Sequence, residues 1–469
     1  MTLALMKTKA EQQLAENFEK AALLLPGSDW VPAARRAAFQ AFATAGLPHR
    51  HIEAWKYTDL RVRLKEAFPP AQCSGKNAEE LVRRALGPEL LQLAAIRLVF
   101  VNGRFVARLI PSGHEPGAGY HFEPLSAVLG RPGSEWVKAH FAPGAGASSD
   151  PVMSLNAAFT TDGITLRVEA DANPGLPIHL VSIVDAEAPA AVATCFLLKI
   201  GAAASATIIE SHVRVGNSPT QATAATVLHL EKGGTAHHIQ HLAGEGRSAH
   251  LGRWNVELAE GATYRGFQLT VGGALVRNET HVAFAGPDAK FDLSGVFLGK
   301  GQDHIDTTLV VNHTTPGCES RELFKGVLDG HARGVFQGKV VVQADAQKTD
   351  GKQMAKALML SEDAEFDSKP ELEIYADDVA CGHGSTAAEI DPDMLFYLRS
   401  RGIPRDQARA LLIESFVGEA IDKVEDEALR AALMSLATDW LRALPARPAQ
   451  PRKTLATKAE TAKAKTAKE

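Results

Sequence analysis

The sequence predicts a mainly β chain with helical ends, and three observations carry that expectation. From about residue 150 to 390, short strand-like runs recur (NVEL, FQLTV, HVAF, KFDLSGVF, IDTTLVV, KVVVQA), separated by glycine-containing turns. Within them the residues alternate: Phe267, Leu269 and Val271 take one face, Gln268 and Thr270 the other. Apolar spacing of helical period is concentrated at the two ends of the chain. Some 240 residues of short strands make a sandwich, a barrel or a β-solenoid. No strict repeat at a fixed period is visible, so the residues alone leave these three open.

The elements follow in order. Thr8 and Glu11 form a capping box, after which Leu14, Phe18, Ala21 and Leu25 recur at helical spacing until Pro26-Gly27. Pro32 opens a second helix that carries Phe39 and Phe42 and ends at Gly46. A further helix is expected over Leu81 to Leu93, and 96–110 reads as a hairpin turned at Asn102-Gly103. The apolar stretch Pro189 to Ile209 is broken by Lys199 and Gly201, which suits two buried strands rather than a membrane helix. Helix returns at Asp391, an N-cap before Pro392, and closes at Gly402. Pro404 opens the next helix, with Ala408, Leu411, Leu412, Phe416 and Ala420 on one face. A third runs through Leu429, Leu433, Leu436, Trp440 and Leu444. The predicted domains are therefore a mainly helical 1–150 with a small hairpin, a β domain at 151–390, helices at 391–445 and a disordered basic tail at 446–469.

Composition narrows the function. Fifty Lys+Arg against fifty-five Asp+Glu give a net charge of -5, no global reason to bind nucleic acid or an anionic membrane. Four scattered cysteines without a paired spacing predict neither a disulfide framework nor a zinc site, and the N-terminus turns polar too soon for a signal peptide. The expectation is a reduced, cytoplasmic protein. None of the Gly-Lys pairs continues as a phosphate loop, and neither a nucleophile elbow nor a His-Glu-x-x-His motif occurs. The chain is expected to be non-catalytic.

Histidines are modestly enriched between His229 and His383. His237, His238 and His241 look like a ligand group, yet neighbours on a strand point to opposite faces. The sharper constellation is Asp377-Asp378-Val379-Ala380-Cys381-Gly382-His383-Gly384-Ser385-Thr386, where a thiol and an imidazole two residues apart share one face of an extended segment. These side chains suit iron and iron–sulfur units. Read without other information, the segment is first a glycine-rich bend around a buried cysteine, and ligation is the weaker reading. Cys195 and Cys318 read as small buried residues, and Glu319 with Arg321 as a structural ion pair.

That constellation lies in two blocks, NHTTPGCESRELFKGVLDGHARGVFQGKVVVQADAQKTDGKQ (312–353) and PELEIYADDVACGHGSTAAEIDPDMLFYLRSRGI (370–403), which resemble the SufB/SufD family of iron–sulfur cluster assembly proteins. Glu53-Ala54-Trp55-Lys56-Tyr57-Thr58 is similar to the E-x-W-K-Y-T element of its SufD branch. Gly384 after His383 points the same way, since SufB-like sequences carry glutamate there. Ser385, Gly351 and Ala380 depart from the common residues without removing a proposed ligand.

The resemblance implies a right-handed parallel β-helix flanked by N- and C-terminal helical domains. It implies a β-helix heterodimer with a SufB-type paralogue, a homodimer when alone, and a SufC-type ATPase docked on the C-terminal helical region. There the docking residues would be Pro392, Met394, Leu395, Tyr397, Leu398, Ile403, Leu411 and Phe416. His383, and secondarily Cys381, would ligate iron or a nascent iron–sulfur cluster transiently at the SufB interface, in a complex that can also hold reduced flavin. Trp55, Lys56 and Tyr57 read as a packing or docking element. The competing readings are a purely structural scaffold, a SufB-like scaffold and a secreted polysaccharide-active β-helix.

Overall fold

The protein is described from a computed structural model, which covers residues 7–110, 119–132, 135–141, 150–244 and 246–444. Its centre is a parallel β-solenoid. The chain alternates strand by strand between two sheets, one of ten strands ending at Ala380–Ala388 and one of nine ending at Glu365–Ile374. The parallel strands make about eight turns, from Asp162–Val168 onward. Of the three architectures left open by the residues, the solenoid is therefore the one adopted.

Successive turns stack in register, so each inward position becomes a column. Ala236, Tyr264, Phe291, Ser320, Gly351 and Cys381 are consecutive partners in one column, spaced by 27 to 31 residues. Variable loops between the strands produce that variation, and it hides the repeat from a search at fixed period. The lumen is filled by large apolar side chains such as Phe291, Leu293, Phe297, Phe324 and Phe336. A Cβ at Gly295 would lie 2.4 Å from the Phe324 ring and one at Gly326 2.2 Å from the Phe297 ring, so glycine makes room for phenylalanine on adjacent turns.

The helices cover the outer faces. The N-terminal helices Lys9–Ala21 and Val31–Ala45, with Pro151–Phe159, lie over the nine-stranded sheet through a cluster containing Phe42, Trp55, Leu155, Leu251 and Leu275. Thr8 and Glu11 form the expected capping box, and Gly46 follows the second helix. The ten-stranded sheet packs its outward Phe267, Leu269 and Val296 against Leu81, Leu90, Ile413, Val417, Leu433 and Trp440. The expected 81–93 helix is two helices, Ala78–Ala85 and Pro88–Gln92, interrupted at Gly87.

The sheets cross the boundary expected at residue 150. The hairpin Ile96–Val101 and Arg104–Leu109 turns at Asn102 and Gly103, both at positive φ, and its first strand pairs in parallel with Ile178–Asp185. Tyr120–Pro124 caps the other sheet antiparallel to Asp162–Val168. The hairpin thus closes the first end of the solenoid rather than standing apart. Pro189 to Ile209 forms the two expected strands, Ala190–Ile200 and the start of Ser205–Val215. Among the described residues no helix is long and apolar enough to cross a membrane. The basic tail expected at 446–469 lies outside the described residues.

Candidate functional site

The last turn of the solenoid is uncovered. Among the described residues Glu365–Ile374 pairs only with Arg333–Val342, and Ala380–Ala388 only with Asp350–Met359, so each sheet ends in a free edge. Cys381, His383 and Ser385 share the inward face of the final strand: Cys381 packs against the lumen core, and Ser385 Oγ donates to Ser368 Oγ of the opposite sheet at 2.7 Å. In any earlier turn such positions are sealed by the next one. Here no further turn follows among the described residues, and His383 is exposed while Cys381 is half-buried. Gly384 lies on the opposite face, where a Cβ would stand 2.6 Å from Met354 Cε. A larger side chain at 384 would fit only after Met354 moved.

Behind the mouth lies a polar column. His383 is registered with Gln353, and Gln353 with Glu322. Glu322 and Gln353 are each 2% exposed, and neither side chain has a hydrogen-bond partner among the described residues. Burial pushes the Glu322 carboxyl up to about 8, and the nearby Asp292 carboxyl adds to it. Gly351 leaves open space between Ser320 Oγ and Cys381 Sγ, which would lie 3.4 and 3.5 Å from a Cβ at that position. Burial also pushes the Cys381 thiol up, and the nearby Asp350 and Glu322 carboxyls add to it. Imidazole is therefore the better metal donor here, because Cys381 must first lose a proton that its surroundings retain. Beyond Glu322 the column meets Leu293, so this polar pocket is separated from the deeper lumen.

That deeper lumen holds a second polar group. Glu210 accepts from His238 at 2.7 Å and Thr226 at 2.9 Å, and pairs with His212 at 3.1 Å. His238 stacks on Trp254 at 3.8 Å. The trio His237, His238 and His241 is split as strand geometry requires: His238 faces inward, while His237 faces Glu425 on the outer side. Among the described residues no group of three or more His, Cys, Asp or Glu side chains is placed to hold a metal ion. Any iron bound at His383 needs ligands from beyond the described chain.

The ion pair expected between Glu319 and Arg321 does not form. Glu319 pairs with Lys290 at 3.1 Å and Arg321 with Asp350 at 2.5 Å, each across to an adjacent strand. Cross-strand neighbours stand closer than residues two apart along an extended strand. Cys195 and Cys318 are buried, as expected, and Cys73 is exposed.

The C-terminal helices are Pro392–Ser400, Arg405–Ile421 and Glu427–Arg442. Asp391 caps the first, accepting from the Asp393 and Met394 N–H groups. That helix buries nothing: Met394, Phe396, Tyr397 and, from the next helix, Leu411 are all exposed, with Phe396 at 71%. Pro392 is exposed, and Leu395, Leu398 and Ile403 are half-buried. Phe416 turns the other way and covers Lys325 Nζ at 4.3 Å from its ring centroid, while Glu419 pairs with the same ammonium. Sequence reading missed Phe396, Glu322 and Gln353. The helical spacing of 392–400 could have supplied Phe396, whereas the other two become neighbours of His383 only through stacking of turns.

The comparisons agree with this architecture. Residues 182–416 match the family described as "SUF system FeS cluster assembly, SufBD core domain", and residues 8–180 match "SufBD protein N-terminal region". The chain is 30% identical over 399 residues to the iron–sulfur cluster assembly protein SufD of Escherichia coli (strain K12), covering 84% of this chain and 90% of that one. It is 28% identical over 421 residues to an iron–sulfur cluster assembly SufBD family protein of Synechocystis, with 85% and 88% covered. A shorter match, 33% over 145 residues, is to SufD of Bacillus subtilis, covering 31% of this chain and 33% of the relative. With both regions matched in order and a SufD aligned over most of its length, the chain belongs to the SufBD family of SUF-system iron–sulfur cluster assembly proteins and is SufD-like within it.

Proposed function

We propose that this chain is the SufD-like subunit of a cytoplasmic SUF scaffold complex, supporting iron acquisition and de novo iron–sulfur cluster assembly without catalysis of its own. One observation carries the reading: both sheets end in free edges at the same end of the solenoid, and His383 opens between them. A free edge is a template for another strand. A SufB-type paralogue, itself a β-helix, would continue the two sheets, and its side chains would supply the further iron ligands. Iron or a nascent cluster is the cargo, held transiently with His383 as one ligand and Cys381 as a secondary donor. Neutral imidazole suits a site that must also release its metal.

The exposed apolar face of Met394, Phe396, Tyr397 and Leu411 would dock the SufC-type ATPase, in the region from Pro392 to Phe416. ATP turnover belongs to that partner. The coil is right-handed in this reading, the hand that parallel crossovers adopt almost without exception. Reduced flavin, if the complex holds it, is a component of the assembly rather than of the site at His383.

Co-expression of the tagged chain with SufB- and SufC-type partners tests the assignment. Stoichiometric recovery of both is expected. Proline substitutions in 380–388, which remove edge N–H donors, should cost the SufB-type subunit while the ATPase is retained. Recovery of neither partner would contradict the reading.

A further inference from the structure

A cleft of about 1030 Å3 lies between the segment that follows the second helix and the loops at one side of the solenoid. Its lining holds six cationic side chains, Arg50, Lys56, Arg63, Lys65, Arg247 and Arg333, against two acidic ones, Asp59 and Glu66. In a chain of net charge -5 that local excess is contrary to the whole.

Both acids are already engaged. Asp59 caps the helix Leu60–Arg63 by accepting from the Arg61 and Val62 N–H groups, and also accepts from the Arg50 N–H. Glu66 pairs with Lys9 at 3.7 Å. Arg333 is shared with Asp367 and Glu365. Among the described residues no ion pair engages Arg50, Lys56, Arg63, Lys65 or Arg247. Arg63 is pushed down by burial and by Arg333, a like charge close enough to be felt, although Asp306 and Glu365 counter it. Like charges gathered along one open cleft are stabilised by an anion placed between them.

We propose that this cleft binds a small anion carrying two or more phosphate groups. The cations converge from separate parts of the chain, the 50–65 segment, the loop at Arg247 and the strand start at Arg333, so they can contact different phosphate groups of one ligand. The cleft has room for a nucleotide-sized ligand. The half-buried Tyr57, with Lys56 Nζ 5.4 Å from its ring centroid, adds an aromatic wall. This inference is independent of the role assigned to His383.

Inorganic pyrophosphate titrated calorimetrically into the full chain tests it, at low and at physiological salt. Saturable one-to-one binding is expected, weakening with salt. Arg63→Gln and Arg247→Gln, which change different elements, should each weaken it by at least about tenfold, as loss of one charge-assisted hydrogen bond requires. His383→Ala should leave it unchanged, and unaltered melting temperatures would exclude misfolding as the cause. Absence of saturable binding at millimolar pyrophosphate, or binding that survives both arginine substitutions, would overturn the proposal. So would a chain that ignores pyrophosphate but loses a protein partner on Arg63→Gln, because the cleft would then serve an acidic protein surface.

Discussion

The indole of Trp55 lies over the guanidinium of Arg277, with Cζ 3.9 Å from the ring centroid, and this stack ties the N-terminal segment to the outer face of the solenoid. Arg277 is 1% exposed and saturated: it donates to Glu279, to Asp306 and to the Ala54 carbonyl. Thr58 Oγ1 donates to Asp306, so it accepts from His304 Nε2 at 2.9 Å. Burial and the neighbouring Arg63, Arg333 and Arg277 push that imidazole down to about 3, which keeps it neutral. The Glu53–Thr58 motif is therefore a clamp for a buried cation, with no open chemistry at Trp55 or Thr58.

Removing either half of the clamp should destabilise the fold. Trp55→Ala is expected to cost about 3–5 kcal/mol, from lost burial and the cavity left behind. Arg277→Met should cost a similar ~3–5 kcal/mol, because Asp306 would remain buried without its counter-charge and Glu279 would be left with Arg253. Urea denaturation followed by circular dichroism measures both, and a loss below about 1 kcal/mol for either would contradict the clamp.

The lumen carboxyl predicts a pH dependence. Glu322 has its folded value raised to about 8 from 4.5, so between these limits the unfolded chain has released a proton that the fold retains. Stability attributable to this group is then present below pH 4.5 and is lost as pH rises toward 8, at up to about 1.4 kcal/mol per pH unit. Glu322→Gln should match the wild type near pH 4.5, exceed it at pH 8, and remove that part of the slope. Identical slopes in the two proteins would show that the carboxyl ionises freely.

On the C-terminal helices the prediction separates docking from folding. Phe396→Ser combined with Tyr397→Ser removes exposed groups, so the melting temperature should be unchanged. Affinity for the SufC-type ATPase should fall at least about 30-fold, the loss of ~2 kcal/mol expected at an aromatic anchor. Phe416→Ala should instead lower the melting temperature, since that ring covers Lys325. Equal ATPase binding by the double variant would place the docking face elsewhere.

Some helix starts and one turn were legible because local chemistry sets them, whereas the break at Gly87 was not. The Thr8–Glu11 capping box, Asp391 before Pro392 and the Asn102-Gly103 turn all act within a few residues. The solenoid was not legible from period, since its turns vary from 26 to 32 residues. The shared face of Cys381 and His383 could be read from their i, i+2 spacing. The exposure of His383 could not, because it depends on Ala380–Ala388 being the last strand of its sheet. Glu322 and Gln353 were invisible for a related reason: their proximity to His383 exists only once turns stack in register. The Glu319–Arg321 pair failed where local reasoning met cross-strand partners.

The central claim is that His383 holds iron at a shared edge. The most direct measurement is anaerobic co-expression of the tagged chain with its SufB- and SufC-type partners, reading subunit ratio and cluster absorbance for the wild type and for His383→Ala. The account predicts an intact complex whose iron and cluster absorbance collapse in the variant, with Cys381→Ala affected less. An intact complex of His383→Ala that assembles clusters at the wild-type yield would contradict it and leave this subunit a structural scaffold.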